Sequence, residues 1–460
     1  MAEDPTAPEV RPPLREFDES SRMREDWNAR AREDAGYYVA FGRRDQDEAG
    51  FFATATEVMN GLEAELRRVP LEQRGAWKAL EIGCGPGRLM RPMSRHFVEI
   101  HGVDVSDEMI ALAREKLRDV PNAHPHATDG ASLAQFADDS FDFVYSYAVF
   151  QHIPSREVVY QYLREIRRVL KAGGLARLQF NGLPRTAESE SSSNTWSGAR
   201  FTSGELLEFA AFQDFQVLAL ENTSTQYMWT TWRKRPSGWN EELERQRFEA
   251  APENQAARPT TRIRRVTNAN SSEPLAPSRG RFACIALWIE NLPPEAGLNH
   301  LRVTVGDNFG TVTYVGPPDA SGLQQVSVIL PQLEATGLLP VEAQWLGRPI
   351  APPATLRVIP PPPAVPRILS VTDGVNLVAQ NRSETRSIKM VLEEIARPHE
   401  IEASIGGFPA QDLEFFCADP RPQRFEVNFR LPEQVGPGRY PLEVRIGRRK
   451  LAPVMVEVSA

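Results

Sequence analysis

Cysteine is scarce. The chain of 460 residues has three, Cys84, Cys284 and Cys417, far apart and with no CxxC spacing. That excludes a disulfide framework and a cysteine-based metal set, so no metal is expected, and it reads as reduced thiols in a cytosolic protein. Long apolar runs are missing as well. No stretch reaches the ~18 residues that cross a bilayer. The acidic start Met1-Ala2-Glu3-Asp4-Pro5 leads into no apolar run, so neither a secretory signal nor a membrane anchor is expected, and the expected location is cytoplasmic. Basic charge is not in excess either. Lys and Arg total 53 against 61 Asp and Glu, a net charge of -8. That balance builds no field for phosphate backbones or anionic lipid, which disfavours nucleic acid and membrane partners.

What is present is length, patterning and proline. A chain of this size suggests about three domains at roughly 150 residues each. Residues 1–20 are acidic and Pro-containing and are expected to be mobile. Helical patterning runs from Ser21 to about Arg68. From Trp77 short apolar runs alternate with amphipathic stretches: strands at 79–82, 98–105, 141–146 and 176–180, helices at 87–97, 107–117 and 156–170. Such alternation predicts a doubly wound, Rossmann-like parallel sheet with helices on both faces. A polar loop covers 185–200, a helix resumes at 202–212, and runs at 215–220 and 226–232 read as closing strands. The predicted limits are 21–245 for this α/β domain and 246–261 for a polar linker.

The second half holds most of the 38 prolines and an internal repeat. Leu301-Arg302-Val303-Thr304-Val305-Gly306 corresponds to Ile401-Glu402-Ala403-Ser404-Ile405-Gly406. Val326 to Pro331 corresponds to Val427 to Pro432, and Gly337 to Ala343 to Gly438 to Val444. Short alternating strands between Gly and Pro turns predict two all-β sandwiches, 262–360 and 367–460. The Pro-rich stretch 361–366 joins them as a stiff spacer.

Chemistry concentrates in Leu80-Glu81-Ile82-Gly83-Cys84-Gly85-Pro86-Gly87. An apolar strand runs into three glycines at alternate positions, and a helix is predicted right after. Glycine belongs where backbone approaches a ligand closely or φ turns positive. Nucleotide-like ligands lie over the carboxyl ends of strands in such sheets. The spacing is GxGxG with Arg88 following, not the GxGxxG of a dinucleotide site, so there need be no pyrophosphate to cradle. Asp104, at the end of the second strand, can accept both hydroxyls of a ribose. Ser106 reads as the N-cap of the following helix. Asp129, in Ala127-Thr128-Asp129-Gly130, can accept from an exocyclic amine.

These segments, in this order, resemble the three cofactor motifs of class I S-adenosylmethionine-dependent methyltransferases, of the methyltransferase type 11/25-like kind. Phe141-Asp142-Phe143-Val144 and Arg168 to Gly174 resemble the same family's fourth strand and its turn into the fifth. The resemblance covers about Trp77 to Phe180. It implies S-adenosyl-L-methionine as cofactor, with Gly83, Gly85 and Gly87 around the methionine part and Glu81 near its amino group. It also implies Asp104 at the ribose, Val105 beside the adenine and Asp129 with Gly130 at the adenine edge. Cys84 and Tyr145 fall within the same cofactor-binding set. The one departure is Pro92, which would shorten or kink the helix after the loop.

The implied reaction is in-line displacement of a methyl group from a sulfonium, which needs positioning and exclusion of water more than acid–base work. A base is required only if the acceptor carries a proton that must leave. His152 reads either as that base or as a structural donor that caps a loop. Tyr147, with Ser146, stands at a strand end and reads as a substrate contact or as a loop residue. Tyr37 and Tyr38 lie in an N-terminal helical segment of the sort that often folds over the cofactor in this family, and read either as closing the site or as core. Trp196 reads as a lid anchor; Trp229 and Trp232, facing opposite sides, read as core and surface. Strand four ends in Ser146-Tyr147-Ala148-Val149, without the Asn/Asp-Pro-Pro-Tyr signature of amino-group methylation on nucleobases, which favours a small-molecule acceptor. The repeats resemble bacterial Ig-like or IPT-like modules, which could bind a protein, self-associate or act as spacers. The alternative is a binding scaffold whose methyltransferase domain only senses its cofactor or is inactive.

Overall fold

The computed structural model describes residues 16–40, 47–69, 71–185, 195–196, 198–248, 260–374, 381–419 and 422–459. The expected mobility of residues 1–15, most of the polar loop and the proline-containing part of the linker lie outside the described residues.

Seven strands build the first sheet: β1 Lys78–Ile82, β2 Glu99–Asp104, β3 Ala123–Ala127, β4 Phe141–Ser146, β5 Leu170–Phe180, β6 Phe215–Glu221 and β7 Met228–Lys234. Their order is β3-β2-β1-β4-β5-β7-β6. All pair in parallel except β7, which is antiparallel to both neighbours. β1 and β4 are buried almost throughout because helices cover both faces, hence their near-continuous apolar runs. The helices are α1 Glu16–Ala40, α2 Glu48–Ala53, α3 Thr56–Leu66, α4 Asp107–Lys116, α5 Arg156–Val169, α6 Ser203–Phe212 and α7 Trp239–Phe248. α5 shows why such segments fold as they do. Ser155 caps its start by accepting from the Val158 amide, and Val158, Val159, Tyr162, Leu163, Ile166 and Val169 form one buried stripe.

Three local expectations are corrected. The segment after the glycine loop is not a helix from 87 to 97. It holds one helical turn, Met90–Met93, and a 3-10 turn, Ser94–His96, because Pro92 supplies no amide and crowds the preceding turn. β3 was not expected: His124, Pro125 and His126 give no apolar alternation, and Pro125 is tolerated because β3 is the sheet's outer strand. α7 runs three residues past the predicted domain limit at 245, with Glu241 and Glu242 in its first turn and Arg245 and Arg247 in its last, matching the helix dipole.

The second half is all-β. Strands Arg262–Asn268, Cys284–Glu290, Leu323–Ile329 and Asn308–Pro318 pair in that order. The long strand Asn308–Pro318 continues into Leu301–Val305, Gly337–Trp345 and Ala354–Ile359. The last unit repeats the plan as two sheets around one core. Val427 and Phe429 of Arg424–Arg430 face Ala403 of Ile401–Ile405 and Val444 of Gly438–Ile446 within it. The strands related by the sequence repeat hold matching positions: Leu301–Val305 pairs with Gly337–Trp345 as Ile401–Ile405 pairs with Gly438–Ile446.

The first all-β unit is joined to the α/β sheet by more than a linker. Its strand Asn308–Pro318 pairs with β6 at Tyr314 and Ala219. The β6 edge is further occupied: the Val217 amide donates to Asn299 Oδ1 at 2.8 Å and the Leu298 amide to the Val217 carbonyl at 2.8 Å. The Gln216 amide group donates to the Pro294 and Ala296 carbonyls. One apolar core runs from the α/β sheet into this unit, which removes an open sheet edge.

Candidate functional site

The site begins where β1 ends. The Gly83 and Cys84 amides both donate to the Val103 carbonyl, at 2.8 and 3.0 Å, tying the loop to β2. Gly83, Gly85 and Gly87 have φ of 70°, 51° and 84°, a region where other residues are strained. Their surroundings differ. A Cβ on Gly83 would lie 2.2 Å from Val149 Cγ2, and one on Gly87 would lie 2.8 Å from Leu117 Cδ1. Gly83, Cys84 and Gly85 line a cavity over the strand ends; Gly87 does not, and its missing side chain lets the loop pack on Leu117.

This cavity, about 900 Å³ including its mouth, is walled by the loop, by Val103, Asp104 and Val105 from β2, and by Tyr147, Ala148 and Val149 after β4. α1 roofs it through Met23, Trp27, Tyr38 and Val39. The roof is pinned at two points. Arg24 Nη2 donates to the Thr128 carbonyl at 2.8 Å, and the Ser106 hydroxyl donates to Asn28 Oδ1 at 2.7 Å while accepting from the Met109 amide as N-cap of α4. Extended backbone at Asp34 interrupts α1, and Asp34 Oδ1 accepts from the Tyr37 amide at 2.9 Å. Tyr38 therefore lines the cavity while Tyr37 is buried behind it.

The cavity's charged groups are Glu81, Asp104 and Arg88. Glu81 is 3 % exposed and accepts from the Tyr145 hydroxyl at 2.8 Å. Burial pushes its carboxyl up to about 8, against the opposing effects of that hydroxyl and of Arg88. Asp104 accepts from the Gly85 and Ser106 amides, both at 2.9 Å. Burial pushes it up to about 6 while those amides pull it back. Burial also raises the Cys84 thiol, so Cys84 stays a neutral wall residue. Two carboxylates with lowered ionisation, facing one cavity, suit a ligand that brings a cation and hydroxyl donors.

Other expected residues fall outside the cavity wall. Asp129 is exposed and does not line it. Its Oδ1 accepts from the Ala131 and Ser132 amides and its Oδ2 from the Ser132 hydroxyl, closing a local turn. Gly130 and Thr128 line the wall instead. Tyr145 lies beneath the wall and acts through Glu81. Ser146 turns its hydroxyl back to the Ile82 carbonyl at 3.1 Å. Tyr147 does line the cavity, with its ring stacked on Trp229 at 5.7 Å and 6°. Trp229 thus backs the site, while Trp232 is fully buried core.

His152 lines the cavity and is 6 % exposed. Its Nδ1 lies 2.9 Å from the Trp196 carbonyl, which can only accept, so Nδ1 carries the proton. Nε2 then faces the Gln151 amide nitrogen at 3.2 Å as acceptor. Burial pushes the imidazole down to about 4, and the nearby Arg30 adds to this. His152 is therefore neutral at pH 7 and anchors the Trp196 segment. Sequence reasoning missed Arg88, Trp27 and Trp229. Arg88 could have been found as the charged residue directly after the third glycine. The two tryptophans carry no local signal, since long-range packing brings them to the site.

The residues fit S-adenosylmethionine. Glu81 would take its ammonium, Asp104 the ribose hydroxyls and Val105 the adenine face, and buried Arg88 keeps an unpaired Nε. Among the described residues no group of three or more His, Cys, Asp or Glu is placed to hold a metal ion, and no helix is long and apolar enough to cross a membrane.

Known proteins match part of this chain. A family model described as a methyltransferase domain matches residues 80–178. Phosphoethanolamine N-methyltransferase 2 of Caenorhabditis elegans is 35% identical over 105 residues, 22% of this chain and 23% of that protein. Trans-aconitate 2-methyltransferase of Variovorax paradoxus is 33% identical over 116 residues, 25% of this chain and 41% of that protein. The chain thus spans well under half the length of these relatives. Magnesium protoporphyrin IX methyltransferase from Synechocystis, solved with bound SAM, aligns with 47% of this chain and 97% of its own at 13% identity and a TM-score of 0.35. Residues 80–178 match the pattern of a methyltransferase domain.

Proposed function

We propose that the chain transfers a methyl group from S-adenosylmethionine to a small-molecule acceptor. The observation that carries this reading is the cavity where Glu81, Asp104 and the glycine loop meet under α1. The cofactor supplies a methyl group already activated by its sulfonium. The chain's own part is to bind, orient and exclude water. Asp104, fixed by two amides, presents its carboxylate without reorganisation. α1, pinned through Arg24 and Asn28, closes the cavity from above. Aromatic and aliphatic walls, Trp27, Tyr38, Tyr147 and Val149, keep water from the methyl path. His152, neutral and with its Nε2 lone pair engaged by Gln151, is at best a weak base. That favours acceptors whose nucleophile is already deprotonated or needs only weak assistance. Relatives named for phosphoethanolamine and trans-aconitate support a small polar acceptor, with O- or N-methylation open. We further assign the domain limits given above, with Ig-like sandwiches behind the catalytic unit, and a role for them in binding a protein or a second copy.

The test is transfer of labelled methyl from S-adenosylmethionine to a metabolite panel by the full chain. Transfer to at least one metabolite, lost in Asp104→Ala, is expected. Cofactor binding without transfer to any metabolite would favour the sensing scaffold instead.

A further inference from the structure

Among the described residues Arg88 is the one cation in the cavity wall, and its surroundings do not account for it. It is 7 % exposed. Nη1 donates to Thr54 Oγ1 at 3.2 Å, the guanidinium carbon lies 5.5 Å from the centre of the Tyr147 ring, and Nε has no hydrogen-bond partner. A guanidinium cannot shed its charge, and a buried donor left unpaired is costly, so such groups ordinarily face a ligand. Glu81 lies close enough to feel Arg88, but its oxygens are not within hydrogen-bond reach of it, and Tyr145 already occupies one of them.

We propose that Arg88 is the carboxylate-binding residue of this cavity, holding one carboxylate through its planar fork. A carboxylate fits better than a phosphate. The wall also carries Glu81 and Asp104, so a doubly charged phosphate would meet more repulsion there than a singly charged carboxylate. The proposal rests on the methyltransferase reading above. Two sources bring a carboxylate into the same space: the amino-acid end of the cofactor, or the methyl acceptor. In either case Arg88 is a positioning residue that fixes the sulfonium and its acceptor along one line.

The experiment uses the full chain, wild type and Arg88→Met, with calorimetric titration of four probes. S-adenosylhomocysteine and its decarboxylated counterpart, S-adenosyl-3-thiopropylamine, test the cofactor source. Benzoate and benzamide, each added to protein saturated with S-adenosylhomocysteine, test the acceptor source. If the cofactor brings the carboxylate, wild type prefers S-adenosylhomocysteine over the amine by about 10-fold or more, and R88M erases that preference. If the acceptor brings it, benzoate but not benzamide binds the loaded wild type, and R88M loses benzoate alone. Wild-type comparisons stand without the variant, should R88M fail to fold. A wild type that binds both nucleosides equally and ignores benzoate overturns the role of Arg88 and leaves the methyltransferase reading intact. A folded wild type that binds neither nucleoside overturns both.

Discussion

Buried carboxyls at the site make the protein's pH response predictable residue by residue. Glu81 has its folded pKa raised to about 8 from an ordinary value of 4.5. Between those values the folded state holds a proton the unfolded state has lost. Glu81 therefore contributes stability that is complete below about pH 4.5 and is lost as pH rises through about 8, at up to about 1.4 kcal/mol per pH unit. Asp104 acts in the same direction up to about pH 6, and more weakly, because it opens onto the cavity. Denaturant unfolding of the ligand-free chain at pH 5 and pH 8 should show the loss, and Glu81→Gln should flatten it. An unchanged slope in that variant would contradict the burial account. An ammonium ligand beside Glu81 requires its ionised form, so cofactor binding at pH 7 should expel a proton. Titrations in buffers of differing ionisation enthalpy would detect it. Gly83, Gly85 and Asp104 could be placed at the cavity from the sequence because spacing marks them, whereas Gly87 shares the spacing but faces Leu117. Asp129 sits in the expected motif, but its carboxylate is spent on the local turn, and no sequence pattern distinguishes a ligand acceptor from a turn acceptor.

Among elements, the glycine loop separates binding from packing. Gly83 and Gly85 face the cavity, whereas Gly87 faces Leu117. Gly87→Ala should lower stability by about 1–2 kcal/mol from its positive φ alone, plus a steric share that Leu117→Ala relieves. Cofactor affinity of the folded Gly87→Ala protein should change little. Gly83→Ala, which must displace Val149 from the cavity wall, should weaken cofactor binding as well as stability. Equal affinity losses in the two variants would show that the loop acts as a single unit. α1 was legible as a helix but not as a roof. Its contacts, Arg24 to Thr128 and Asn28 to Ser106, join residues about 80 to 100 positions apart, beyond the reach of any periodicity. β3 was missed for the opposite reason: its register with β2 is regular, Ile100 with Ala123 and Asp104 with Ala127, yet its histidines and proline hide it.

Across the whole molecule, the repeat was legible because two copies of one pattern reinforce each other, but no local pattern marks that the copies are joined differently. The first all-β unit shares a core with the α/β sheet and occupies the β6 edge. A buried polar group spans the same junction: Arg68 pairs with Glu65 at 2.6 Å, donates to the Val315 carbonyl at 2.6 Å and packs over Tyr314. The last unit has its own core and meets the first through Glu393, which takes Arg281 from one side and Arg367 and Arg424 from the other. Truncation after residue 360 should therefore leave the thermal midpoint of the catalytic unit within a few degrees of the full chain. Truncation after residue 248 should give an unstable, aggregating product, because it bares an apolar face and an open sheet edge. A stable, cofactor-binding fragment 1–248 would contradict the shared core. The central claim concerns the cavity, and calorimetric titration of the intact chain with S-adenosylhomocysteine tests it most directly. One equivalent should bind, and Asp104→Asn should weaken it by about 10-fold or more through the lost charge-assisted hydrogen bonds. A folded chain that takes up none, or an Asp104→Asn variant that binds as tightly as wild type, would contradict it.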